Sequence, residues 1–259
     1  LKKGPKMSSA LQEDASTTHV VLIRVTLSLE SSIERDVGPH ASLEKNVDER
    51  LGSVSRNFVH QVHERLPSLT GHPWVLGLEH CVFRQEASQV HGHFYLSLSQ
   101  PAVIEERAVK EAKHVLGACL KKALLLEVEA HEQAIDLTHF ELSRLSQISD
   151  LRGHASSEKP KIHYVVQTDV ERGWELEIDR WYAQEHLPGL ASVPGCVFAK
   201  RYVNLDEGPK SFACYGLLSQ ETLSSQEWLA VRATKWASQA RPHFINTRRD
   251  IFCHVLAKS

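Results

Sequence analysis

The strongest constraint on this chain is an order of elements that runs twice: strand, helix, strand, strand, helix, strand. The first round opens at residues 19–29, a run rich in Val, Ile and Leu that reads as a strand after a polar leader, residues 1–18. Residues 42–66 follow as a helix, because Leu43, Val47, Leu51, Val54, Phe58 and Val62 keep the 3.6-residue period until Pro67 stops it. Apolar runs at 73–84 and 90–99, parted by the polar residues 85–88, have the composition of a hairpin. Residues 102–123 set Val109, Ala112, Val115, Leu116, Cys119 and Leu120 on one helical face. The closing strand is expected at 124–132, with 134–143 an extension of it or irregular.

A polar stretch, 146–161, carries Gly153, Pro160 and several serines and is read as a linker. The second round then gives strands at 162–168, 196–204, 211–218 and 250–256, with helices at 174–187 and 224–239. The duplication rests on this order, since the halves share little residue identity. Each half, 19–145 and 162–259, is expected to be a ferredoxin-like βαββαβ unit with two helices over one face of a sheet.

The helix at 174–187 is the most informative stretch. Trp174, Ile178 and Trp181 recur along one face, and Tyr182 and His186 form an adjoining i, i+4 pair. Leu187, Pro188 and Gly189 are expected to end it, and Val193-Pro194-Gly195 to turn the chain into the next strand. Trp181-Tyr182, Glu185-His186-Leu187-Pro188, Val193-Pro194-Gly195 and Arg201-Tyr202 together resemble the EthD-like members of the dimeric α+β barrel superfamily. The resemblance covers about the last hundred residues. It implies a tandem pseudo-dimer, an α+β fold in which one chain supplies both units and their bare sheet faces pack together. It also implies a small-molecule enzyme, since that superfamily includes isomerases, dehydratases, cyclases and oxygenases, and fold alone does not choose among them.

Hydrophobic residues make up 42% and charged residues 24% of the 259, the balance of a soluble globular protein. A net charge of −2 supplies no field that draws the chain to nucleic acid or to anionic lipid. No apolar run approaches the roughly 20 residues that span a bilayer, and residues 1–10 lack a secretory h-region. A cytoplasmic protein, monomeric or homodimeric, is expected. The five cysteines are scattered without CxxC spacing, which argues for small buried hydrophobes over a disulfide framework or structural zinc.

Strand parity locates the candidate chemistry, because alternate side chains face opposite sides of a sheet. In 90–99, Phe94, Leu96 and Leu98 share one face, while His91, His93 and Tyr95 share the other. The same test sets His163 and Gln167 apart from Tyr164 and Val166, His254 apart from Cys253, and Arg24 apart from Ile23 and Val25. If the polar parity faces inward, these residues converge on a cavity between two sheets that takes a small aromatic or polyketide-like ligand. The bland alternatives are a solvated sheet face for His91 and His93 and ordinary hydrogen-bonded roles for His163 and His254.

His186 also has two readings, a cap near a helix C-terminus or an acid–base group working near neutral pH. Trp181 reads as core or ligand platform, and Tyr182 as either. The expected catalytic candidates are therefore His186, His163, His91 and His93, with substrate contacts from Arg24, Tyr95, Gln167, Trp181, Tyr182, Arg201 and His254.

His91-x-His93 places two imidazoles on one strand face, but a metal would need further ligands, from His163, His254 or Glu79. His60-x-x-His63 reads as two solvated helix residues. G-x-G-x-x-G, P-loop and G-x-S-x-G motifs are missing, which disfavours dinucleotide, NTP and α/β-hydrolase chemistry. The expected enzyme works by proton transfer without a cofactor, as an isomerase, cyclase or dehydratase. A haem- or metal-dependent oxygenase, which some relatives of the resembled superfamily imply, and a non-catalytic binding protein are the alternatives.

Overall fold

The computed structural model describes residues 19–29, 75–86, 89–98 and 135–254. Eight strands close into one antiparallel barrel: β1 (His19–Leu29), β2 (Val75–Glu86), β3 (Gln89–Leu98), β4 (Ile135–Arg152), β5 (Ile162–Val170), β6 (Cys196–Asn204), β7 (Ser211–Leu217) and β8 (Phe244–His254). Around the barrel they run β1-β3-β2-β8-β5-β7-β6-β4. Each half thus contributes its fourth, first, third and second strand in that spatial order, and the halves meet at two seams. The helices read at 42–66 and 102–123, and the strand read at 124–132, lie outside the described residues. The described chain is α+β, and none of its helices is long and apolar enough to cross a membrane.

One seam pairs β4 with β6 from Leu145↔Asn204 to Arg152↔Phe198. The other, β2 with β8, pairs only Val82↔His254 and Phe83↔Cys253. The short seam is reinforced by Asp250, 3% exposed, which accepts from Arg84 Nη1 at 2.6 Å and lies 2.7 Å from Arg248 Nε.

Strand β4 corrects two readings. Residues 134–143 are not irregular from Ile135 onward, and the stretch read as a linker starts as strand up to Arg152. The apolar positions Leu142, Leu145 and Leu151 are diluted by serines and charges, so the segment lacks a strand's usual composition. Pairing on both edges, with β1 and β6, supplies the order that composition conceals.

Two apolar layers share the barrel wall. Val20, Leu22, Val82, Tyr95, Leu145, Val165, Tyr202, Phe212, Cys214 and Phe252 fill the interior, with at least one residue from each strand. Val166, Ala199, Ala213, Tyr215 and Leu217 face the other way and pack under the helices of the second half. Strand β7 is consequently buried along its whole length.

Gly216 of β7 faces Phe198 of β6 across the ladder, and a Cβ there would stand 2.2 Å from the Phe198 ring. Its bare backbone lets that ring lie flat and stack on His80 at 4.8 Å. Gly216→Val is expected to displace the ring and to cost about 1–3 kcal/mol, the usual range for overpacking. Chemical denaturation checks this, and an unchanged midpoint would contradict it.

The helical segment of the second half does not stop at Pro188. It runs through α1 (Glu175–Trp181), a π turn (Tyr182–His186) and α2 (Leu187–Ala191). Proline normally breaks a helix because it lacks the N–H and crowds the preceding turn. Here the Leu187 N–H reaches back five residues to the Tyr182 carbonyl, and this wider turn accommodates Pro188 at the start of the next α-helical turn. The expected helix at 224–239 is likewise divided, into α3 (Gln226–Arg232) and α4 (Lys235–Ala240). Ser225 and Thr234 cap the two pieces by accepting from the Trp228 and Ala237 amides.

Candidate active site

The predicted residues divide between the two sides of the sheet. Arg24, His93, Tyr95, His163, Gln167 and His254 belong to the barrel interior, while Trp181, Tyr182, His186 and Arg201 gather on the helix-covered face. The single cavity between sheets expected from parity does not unite them.

Inside the barrel the polar groups are buried, and several, Nε2 of His80 and His254, Nδ1 of His93 and His163 and the Tyr202 hydroxyl, have no hydrogen-bond partner among the described residues. His163, 0% exposed, is hydrogen-bonded through Nε2 to the Tyr95 hydroxyl at 3.1 Å, and that hydroxyl lies 3.9 Å from Cys214 Sγ. His93 rests on the Phe252 ring at 4.2 Å, and His254, His80 and His163 form a triangle of rings 5.5–6.0 Å apart. Arg24 donates to Glu141 at 2.5 Å, to Ser143 at 2.7 Å and to Gln167 at 3.4 Å, so its charge is already matched. His91 sits at the side, 3.1 Å from Thr26 Oγ1.

Burial pushes the His80 imidazole down to about 3 and His254 to about 4. His93 and His163 fall well below the ordinary value for the same reason, helped by neighbouring cationic groups. These rings are neutral packing elements at pH 7. Among the described residues no three His, Cys, Asp or Glu are arranged to hold a metal ion. Glu79, weighed as a ligand, is instead 3.2 Å from Lys200 Nζ.

A cleft opens on the other face. Its floor is the outward parity of β5 and β7, with Tyr164, Val166 and Tyr215; its walls are Trp181, Tyr182, His186 and Leu190 on one side and Trp228 and Phe244 on the other. Arg232, Arg241 and Arg249 complete it, and its cavity volume is about 30 Å³, opening onto solvent.

The π turn places the histidine. A turn that closes on the fifth residue brings positions five apart onto one face, so His186 stacks on Trp181, with centroids 4.1 Å apart and planes at 20°. It also meets Tyr182 edge-on at 5.4 Å. Neither ring nitrogen of His186 has a hydrogen-bond partner among the described residues, although the residue is only 8% exposed and Nδ1 is fully sealed. Burial, then the charges of Arg232, Arg241 and Arg201, hold its pKa at about 3. Burial raises Tyr182 to about 12, so its hydroxyl remains a donor.

Glu185, the neighbour of His186 in sequence, is architectural. Its Oε1 accepts from Trp181 Nε1 at 3.1 Å and from Thr234 Oγ1 at 2.6 Å, joining the π turn to the cap of α4. Arg201 lies 4.1 Å over the Tyr182 ring while its guanidinium reaches Asp179 at 2.8 Å and Ser211 at 3.2 Å. Glu185→Ala is expected to cost about 1–3 kcal/mol by leaving the indole donor unpaired. It should also loosen the Trp181–His186 stack, which near-ultraviolet circular dichroism reads; an unaltered spectrum and stability would contradict this role.

Sequence reasoning missed His80, Tyr164, Tyr215, Trp228, Phe244 and the three cleft arginines. The outward parity of β5 already separated Tyr164 from His163, but that face was assigned to packing. Phe244 and Arg249 lay upstream of the strand expected at 250–256.

No protein-family model and no curated protein sequence matches the chain. Among solved structures, a candidate monooxygenase from Fusobacterium nucleatum superposes with a TM-score of 0.53 at 9% identity, over 92% of this chain and 93% of that one. The fold is an α+β barrel. A second candidate monooxygenase, from Lactobacillus acidophilus, superposes with a TM-score of 0.50 at 12% identity, again over 92% and 93%. Identities this low speak for architecture alone.

Proposed function

We propose that the protein is a small-molecule enzyme that moves a proton on an aromatic or polyketide-like substrate held in the cleft under the helices of its second half. The observation that carries this reading is His186: an imidazole with no hydrogen-bond partner among the described residues, stacked on Trp181 at the wall of an aromatic cleft. The barrel histidines also carry unpaired buried nitrogens, and His186 is set apart from them by lining the cleft.

In the proposed mechanism the substrate ring lies at the mouth of the cleft against the part-exposed rings of Tyr164 and Phe244, excluding water by apolar burial. Neutral His186 accepts a proton from an acidic carbon of the substrate, and the Tyr182 hydroxyl donates to the enolate oxygen that forms. Return of the proton to a different atom isomerises the substrate. Attack of the carbanion on an internal carbonyl cyclises it, the new alkoxide taking the proton back from His186, and departure of a β-hydroxyl that takes the same proton and leaves as water dehydrates it. The tandem ferredoxin-like organisation and the EthD-like affinity belong to the same proposal. They are supported by the strand order repeated in the two halves and by the Trp-Tyr and Glu-His-Leu-Pro residues around the cleft.

Deuterium incorporation from heavy water tests the step without knowledge of the net reaction. A panel of aryl ketones and aryl β-ketoacids is incubated with the protein and followed by proton NMR. Exchange faster than buffer that disappears in His186→Gln supports the reading. Buffer rates throughout, or equal exchange in both proteins, contradict it. A Soret band or stoichiometric metal in the purified protein would instead make a histidine a ligand.

A further inference from the structure

Building on the reading of the cleft as the substrate site, we infer that the substrate carries a carboxylate beside its aromatic ring, and that Arg232, Arg241 and Arg249 recognise it. Arg232 ends α3, Arg241 opens the short 3-10 turn Arg241–His243, and Arg249 lies on β8; all three line the cleft. Arg24, Arg84, Arg144, Arg180, Arg201 and Arg248 each meet a carboxylate. The three cleft arginines meet none among the described residues, and no acidic side chain lines the cleft. Arg152 and Arg172 also lack an acid, but they do not line the cleft.

Cations gathered without a counter-charge repel one another, and these do. Arg241 is held below its ordinary pKa by burial and by the charges of Arg232 and Arg249. Its one recorded bond is a long one, 3.5 Å to the Arg232 carbonyl. A ligand anion relieves this repulsion, and the planar guanidinium fork matches a carboxylate's two oxygens. The part-exposed rings of Tyr164 and Phe244 beside it offer a flat ring a surface to lie on. One short molecule with both features satisfies both parts of the cleft.

The same anion acts on the histidine. The charged groups that depress His186 are Arg232, Arg241 and Arg201, and Arg201 is already matched by Asp179. Tyr164, Tyr182 and Tyr215 around the cleft stay protonated and uncharged, because burial raises each of them. A carboxylate set against Arg232 and Arg241, with Arg249 at the same rim, therefore moves the imidazole upward, toward the range in which it works as a base.

The test compares 1-naphthoate with naphthalene-1-methanol, its neutral counterpart, by calorimetric titration of the full chain. Wild type is expected to bind the carboxylate at least about tenfold more tightly. The preference should fall to within about twofold in the Arg232→Gln, Arg241→Gln double variant and weaken with added salt. It should persist in His186→Gln. Equal affinities in wild type, or a preference undiminished in the double variant, would overturn the inference. The readout is binding alone, so the two readings fail separately. A retained preference without proton exchange removes the acid–base reading and keeps the anion site, and His186-dependent exchange with equal affinities does the reverse.

Discussion

Acidification from pH 7 to pH 5 is expected to unfold the protein. His80, His93, His163, His186 and His254 are all held below the ordinary imidazole value, with burial the largest cause in each. An unfolded histidine binds its proton near pH 6.5, whereas folded His80 and His186 resist it down to about 3 and His254 to about 4. Between those values the unfolded chain carries more protons, so stability rises with pH in this window and falls as pH drops from about 6.5. Above it these groups contribute no pH dependence.

At pH 5 His80, His186 and His254 each favour unfolding by about 2 kcal/mol, with an upper limit of about 6 kcal/mol for the three, and His93 and His163 act in the same direction. A domain stable by roughly 5–15 kcal/mol has little margin against that. Far-ultraviolet circular dichroism between pH 8 and pH 4 is expected to show a cooperative loss centred at about pH 5. A His163→Leu, Tyr95→Phe double variant removes both partners of one buried pair and should move the midpoint to lower pH. A chain still folded at pH 4 would contradict neutral burial of the histidines.

His186→Gln is expected to lower the proton-exchange rate by about 10²–10⁴-fold, the range for loss of a general acid–base group. Glutamine keeps donors and an acceptor near the stack on Trp181 but cannot carry the proton. The loss should therefore fall on kcat with KM little altered, which marks an interaction used in the transition state. The corresponding His163→Gln variant is expected to keep its exchange rate, since that ring is sealed inside the barrel against Tyr95. Steady-state rates of deuterium incorporation check both, and loss of activity in His163→Gln with retention in His186→Gln would place the chemistry inside the barrel.

Much of the barrel is legible in the sequence because strands announce themselves by composition and alternation. Strand β1, at 19–29, and strand β6, at 196–204, coincide with their readings, and the inward parity of His93, Tyr95, His163, Gln167 and His254 is the one the structure shows. Strand β4 is obscure because its order comes from two neighbouring strands more than from its own residues. The continuation through Pro188 is hidden for a similar reason: a π turn is a matter of which carbonyl is reached, and no residue type marks it.

The site was half legible. Trp181, Tyr182 and His186 stand out as a motif, but parity arguments favoured the polar side of each strand. The cleft is floored by the other side, where Tyr164 and Tyr215 bring apolar rings with polar tips. The arginines were invisible as a group because 232, 241 and 249 come together only when α3, the 3-10 turn and β8 are folded.

The most direct test of the account is the NMR spectrum of histidine-labelled protein, recorded before and after addition of 1-naphthoate at pH 7. The account predicts that the His186 ring nitrogens shift, and move toward the protonated form, while those of His163 and His93 stay where they were. Shifts confined to His163, His93 or His254 would put the ligand inside the barrel and contradict the helix-covered cleft as the active site.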